Sequence, residues 1–139
     1  MRDKITLKLV TDNDYEFLYK LLAERDPSAN ISHKEMPTYQ QHVKFVKSKP
    51  YSKWYIIYYD NQRAGSIYLT EINEVGIFLV GEFQGMQIGN KALHLMMQLN
   101  PRKRYLANVS PSNKKSIEFF KKNHFHLIQY TYEINRKVK

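Results

Sequence analysis

Ile77-Phe78-Leu79-Val80-Gly81-Glu82-Phe83-Gln84-Gly85-Met86-Gln87-Ile88-Gly89 is the stretch whose reading decides the fold. The apolar run over residues 75–80 reads as a strand, and Gly81, Gly85 and Gly89 turn the next nine residues into a loop. Ala92, Leu93, Met96 and Met97 then fall at helical spacing until Asn100-Pro101 ends the helix. A strand that feeds a glycine loop into a helix N-terminus makes a generic anion site. The first amides of the helix have no acceptor inside it, and the helix dipole is positive there. The same residues would also write a tight turn with no ligand. There is no Gly-Lys-Ser/Thr ending and no full Gly-x-Gly-x-x-Gly, which argues against a P-loop nucleotidase and a Rossmann oxidoreductase.

Upstream, Trp54-Tyr55-Ile56-Ile57-Tyr58-Tyr59, a turn at Asp60-Asn61-Gln62, a run over residues 64–70 and the strand at 75–80 predict an antiparallel meander of three strands. Thr38-x-x-Gln41 resembles a capping box opening a helix to about Ser48, with Tyr39, Val43 and Val46 as its buried stripe. Residues 5–10 alternate as a half-buried strand. Thr11 to Asp14 then open a helix with Tyr15, Leu18, Tyr19 and Leu22 on one side, stopping near Arg25 ahead of Pro27. Downstream, residues 105–109 predict a short strand. Ile117, Phe119 and Phe120 give the apolar side of a last helix ending near Asn123, and residues 126–134 a single closing strand. The basic residues 136–139 read as a solvated tail.

The 139 residues, 42% hydrophobic, suffice for one core, so a single domain over residues 1–139 is expected. No apolar run approaches the roughly 18 to 20 residues of a membrane span, and no secretory h-region comes after Met1, so the expected location is cytoplasmic. The absence of cysteine excludes disulfides, cysteine-based zinc sites and an acyl-cysteine intermediate. A net charge of +9 attracts polyanions, whether nucleic acid, an anionic membrane surface or a phosphate-rich cofactor. Surface lysines that only aid solubility would give the same figure.

Two motifs carry a family resemblance. Residues 77–89 resemble the Gln/Arg-x-x-Gly-x-Gly/Ala cofactor motif of the GNAT acetyltransferases, and Asn113-x-x-Ser116-x-x-Phe119-Phe120-x-Lys122-x-x-Phe125 is similar to that family's second motif. They stand in the right order with a helix and a strand between. The resemblance implies an α/β fold with a mixed, mostly antiparallel sheet of six to seven strands, about four helices, and a fourth and fifth strand that splay apart. It also implies acetyl-CoA as cosubstrate and no metal. The pyrophosphate would lie on the amides of residues 85–90, contributed by Gly85, Met86, Gln87, Ile88, Gly89 and Asn90, with Gln84 alongside. The pantetheine arm would pair with Phe78, Leu79 and Val80 as an added strand. The Leu79 N–H would polarise the thioester carbonyl. Asn113, Ser116, Phe119, Phe120 and Lys122 would face the cofactor from across the cleft.

This chain departs from the family pattern at two positions. Gln87 stands where the family most often has glycine, implying an ordinary backbone there or a phosphate held at a wider distance. Phe120 stands where many members have the tyrosine that protonates the departing thiolate. The thiolate then leaves unaided, or Tyr130 or Tyr132 on the last strand substitutes.

An amine must lose a proton before it attacks. Glu74 lies where several family members keep a catalytic carboxylate, and it reads equally as a solvated residue at a strand entrance; Glu71 is a weaker candidate. His42 titrates in a suitable range but neighbours an apolar stripe, where a packed histidine is the commoner role. Residues 25–42 resemble the acceptor region of acetyltransferases acting on nucleotide-linked amino sugars, which would make Arg25, Glu35 and His42 substrate-binding. The leading function is therefore N-acetylation of a small-molecule amine by a monomer or homodimer, with no nucleic-acid partner. Acetylation of a protein N-terminus or lysine, and a non-enzymatic basic module binding nucleic acid, are the alternatives.

Overall fold

The computed structural model describes residues 4–24 and 36–137. Strand β1 (Ile5–Leu9) leads through a 3₁₀ turn at Asp12–Asp14 into α1 (Tyr15–Ala23), and α2 (Tyr39–Lys47) comes after it. The meander β2 (Lys53–Tyr59), β3 (Gln62–Leu69) and β4 (Val75–Leu79) is next, then α3 (Ile88–Leu99) and α4 (Lys114–Lys122). The sheet is antiparallel throughout, in the order β1-β2-β3-β4. Asp60 and Asn61 join β2 to β3 with φ of 47° and 69°. That is the two-residue hairpin in which both central residues are left-handed, matching the twist of the flanking strands. Thr38 Oγ1 accepts from the Gln41 amide while Gln41 Oε1 accepts from the Thr38 amide, so the capping box opens α2 as expected. Thr11 and Asp14 build a second box at the turn before α1.

Strand β2 explains the layering. Tyr55 and Ile57 point to one face and pack with Ile67, Leu69 and Val75 against Ile88, Ala92, Leu93 and Met96 of α3. Ile56 points to the other face and meets Leu18 of α1 and Val46 of α2. A strand covered on both faces reads as a continuous apolar run, as residues 54–59 do. Leu93 and Met96 are fully buried, so truncating either to alanine costs about 2–5 kcal/mol. This anchoring holds the N-terminus of α3 against the end of β4.

Three expectations are corrected. The sheet has four strands, not six to seven. Residues 105–109 make only an isolated parallel bridge, Glu74 to Leu106, and residues 126–134 form no strand among the described residues. Their alternation is real, but a strand needs an edge to satisfy its backbone, and neither segment finds a continuous one among the described residues. Lastly, the buried stripe of α2 runs through His42 and Val46, while Tyr39 is 41% exposed.

Candidate functional site

The outer edge of β4 is only partly used. The Val80 amide donates to Ala64 and the Thr70 amide to Glu74, so residues 74, 76, 78 and 80 turn their backbone groups toward β3. Val75, Ile77 and Leu79 therefore turn theirs outward. The Val75 amide donates to the Leu106 carbonyl at 2.7 Å and the Leu106 amide to Asn73 at 2.8 Å, and the ladder goes no further. Beyond that bridge the segments splay, leaving the Ile77 and Leu79 amides without an acceptor among the described residues. The Leu79 carbonyl accepts from Gln84 Nε2 at 3.2 Å. Alternation thus directs the amides of Phe78 and Val80, both expected on the cofactor, into β3. It also exposes Ile77, which the cofactor motif does not single out although period two along the strand would have found it.

The loop continues this open line. The Phe83 amide donates to Val80, Gln84 to Gly81 and Lys91 to Gln87, but the six amides from Gly85 to Asn90 have no acceptor among the described residues. Gly85 has φ of 78°, and Gln87, the N-cap of α3, has φ of 65° and ψ of 8°. The loop thus keeps a left-handed, glycine-type twist at Gln87, contrary to the expected ordinary backbone. The Gln87 side chain accepts from Asn90 Nδ2, whose own oxygen accepts from Asn123 Nδ2 at 2.9 Å. At Gly89 a Cβ would stand 3.0 Å from Phe119 Cε1, so a larger residue would require the Phe119 ring to give way by a few tenths of an ångström.

Helix α4 forms the opposite wall. Asn113 Oδ1 caps it by accepting from the Ser116 amide at 3.2 Å, which leaves the Asn113 Nδ2 for another partner. A cleft of about 450 Å³ lies between, lined by Leu79, Gly85, Gln87, Gly89, Asn90 and, from α4, Phe119 with Lys114, Lys115, Lys122 and Glu118. Three ammonium groups against one carboxylate, facing unpaired amides at a helix N-terminus, form a site for an anion. Ile88 is in the core, so only its amide can serve the cleft, and Met86 is 43% exposed. Phe120 does not line the cleft as expected: it is buried between Phe119 and Phe125, each at 5.1 Å. Lys114 and Lys115 were missed as site residues, although their run on a helix bordering the loop was the signal.

The acceptor candidates are scattered. Glu74 Oε2 accepts from Asn108 Nδ2 at 2.7 Å, which holds the carboxylate across the splay between β4 and residues 105–109. His42 is buried between α1 and α2, its ring 5.3 Å from that of Tyr19, and its Nε2 has no partner among the described residues. Burial pushes its pKa below the usual histidine range, against a smaller opposing effect of a hydrogen bond to the Tyr15 backbone. Arg25 and Glu35 lie outside the described residues. Tyr130 and Tyr132 are 75% and 87% exposed and are not brought to the cleft.

The sequence profile of the acetyltransferase (GNAT) family matches residues 15–125. The fold superposes with a TM-score of 0.82 on a domain from Methanocaldococcus jannaschii at 23% identity, covering 95% of this chain and 94% of that one. A ribosomal L7/L12 alpha-N-protein acetyltransferase in complex with coenzyme A gives 0.75 at 21% identity, over 90% and 81% of the two chains. The aminoglycoside N-acetyltransferase AAC(6')-Iy in complex with CoA gives 0.73 at 11% identity, over 99% and 98%. No curated protein sequence matches significantly. At these identities the structural likeness is one of fold.

Proposed function

The chain belongs to the acetyltransferase (GNAT) family and is an enzyme, and from that premise we propose that it transfers the acetyl group of acetyl-CoA directly to a primary amine of a small molecule. The observation that carries this reading is the row of unpaired amides, Leu79 and residues 85–90, along one side of a lysine-lined cleft. The residues fit the cofactor. The amides of residues 85–90 and the ammonium groups of Lys114, Lys115 and Lys122 suit its phosphates, and the outward groups of Ile77 suit the amides of its arm. Bound there, acetyl-CoA supplies an activated acyl group whose C–S bond breaks as the C–N bond to the acceptor forms.

In this arrangement the Leu79 amide donates to the acetyl oxygen as negative charge builds on it. Glu74, held by Asn108, takes the proton that the amine gives up, directly or through water. Phe120 cannot donate a proton, and Tyr130 and Tyr132 are not at the cleft, so the thiolate takes its proton from water. Glu74→Gln should then lower kcat by about 10² to 10⁴-fold, the usual range for losing a general base. The KM for acetyl-CoA should stay within a few-fold, whereas an unchanged kcat would remove Glu74 from the reaction.

An amino sugar carried on a nucleotide is the acceptor we put first, on the likeness of residues 25–42. Arg25 would hold sugar or phosphate oxygens by charge-assisted bonds. Glu35 would be a further substrate-binding residue, and His42 would orient the sugar amine. Calorimetry with acetyl-CoA, and then an acceptor panel of amino-sugar nucleotides, simple amines and peptides, tests both halves. Heat of binding with turnover on the amino sugars is expected. No heat at millimolar acetyl-CoA would overturn the enzyme reading, and turnover on peptides alone would overturn the acceptor.

A further inference from the structure

On the side of the sheet that faces α1 and α2, strand β2 is covered over only part of its length. Leu18 of α1 and Val46 of α2 close over Ile56. Helix α2 then ends at Lys47, and the chain turns through residues 48–52 to enter β2. The end of the sheet that carries Trp54 is left with a cleft of about 480 Å³, bounded by β1, the start of α1 and the end of α2. Ligand sites run from roughly 300 to 1,000 Å³. This cleft shares no lining residue with the one between the glycine loop and α4.

Its lining joins two chemistries. Tyr15, Tyr51 and Trp54 supply aromatic rings, and Tyr51 is itself fixed, stacked on Tyr68 at 3.8 Å and edge-on to Trp54 at 4.8 Å. Trp54 Nε1 is closed to solvent and has no acceptor among the described residues. A ligand oxygen that shifts the ring slightly would gain a hydrogen bond that the fold leaves unmade. Lys47, Lys49 and Lys53 bring three ammonium groups against the carboxylate of Asp12. Lys49 comes directly after the C-cap of α2, its amide donating to the Val46 carbonyl and its φ at 51°. Glycine is the usual residue at a left-handed helix end of this kind; here the position carries a cation on the cleft wall.

We propose that this cleft is a second ligand site, for a planar base bearing a phosphate: a nucleoside 5′-monophosphate. The rings take the base, and aromatic contacts contribute beyond the area they bury. The lysines take the phosphate as point charges. Inorganic phosphate would use the lysines alone and a nucleoside the rings alone, so the two halves joined define the ligand class. A cleft of this volume holds one nucleotide, whereas single-stranded nucleic acid needs a groove for several.

The test needs neither acetyl-CoA nor an amine. Trp54 is the chain's single tryptophan, so its fluorescence reports this cleft directly. Uridine 5′-monophosphate should change the emission and saturate at millimolar concentration or below, with uridine and inorganic phosphate each at least about tenfold weaker. Lys47→Glu should weaken the nucleotide about tenfold. Lys49→Gly should weaken it too while the melting temperature holds or rises, because glycine accepts the left-handed backbone. A folding defect could not produce that pair of results. Saturating acetyl-CoA should leave the nucleotide's affinity unchanged. The site is overturned by the absence of a saturable change, by uridine or phosphate binding as well as the nucleotide, by displacement with acetyl-CoA, by a uridine oligonucleotide binding far more tightly than the monomer, or by an affinity that both lysine substitutions leave untouched.

Discussion

Gln87 holds a backbone twist, φ 65°, that a side chain disfavours by roughly 1–2 kcal/mol. The twisted residue opens α3 at the cleft edge, beside the amides of residues 85–90 that have no acceptor among the described residues. Gln87→Gly should relieve it, with part of the gain offset by the freer unfolded chain. The melting temperature should rise by a few degrees, in line with about 1 kcal/mol for a domain of this size. A lower melting temperature would mean that the bond from Asn90 to the Gln87 side chain outweighs the strain. His42 gives a second prediction at this scale. Its folded pKa lies below its ordinary 6.5, so the fold holds it neutral while the unfolded chain protonates it near 6.5. Its contribution is therefore present above that value and lost as pH falls through the lower folded pKa. Denaturant titrations from pH 7.5 to 5 should show stability falling in the wild type and a flatter profile in His42→Gln; equal slopes would contradict the assignment. The two loop glycines were legible, since Gly85 meets a left-handed backbone and Gly89 a close approach to Phe119. The twist at Gln87 was not, because a side chain there gives no sign of it.

Among the elements, α4 carries the clearest test of the proposed binding. Lys114, Lys115 and Lys122 line the cleft wall opposite the loop amides, where under the proposal they would meet the same phosphates. Lys122→Glu or Lys115→Glu should weaken acetyl-CoA binding about tenfold, the scale of one charge-assisted bond lost at an exposed position. The defect should shrink as salt rises. Lys47→Glu, in a separate cleft bounded by β1, α1, α2 and β2, should leave affinity unchanged. Titration calorimetry at two salt concentrations checks both. The helices and the meander were readable because capping boxes, the Asp60-Asn61 turn and apolar periodicity are written locally. Residues 105–109 and 126–134 carry equally clear strand patterns. What they pair with is a non-local fact, and the sequence could not show that, among the described residues, one makes a single bridge and the other none.

For the molecule as a whole, the net charge of +9 finds part of its use where three lysines meet a helix N-terminus. The sheet supplies the rest by stopping short: β4 is paired on one side and open on the other after one bridge to Leu106. The proposed reaction therefore rests on Leu79 and residues 85–90 being where acetyl-CoA docks. Amide chemical shifts of isotope-labelled protein, tracked through a titration with acetyl-CoA, read this residue by residue. The Leu79 amide and those of Gly85 to Asn90 should move together and saturate, while the Phe78 and Val80 amides, turned into β3, move less. Unmoved loop amides at millimolar acetyl-CoA, or shifts confined to the cleft at Lys47 and Trp54, would contradict it.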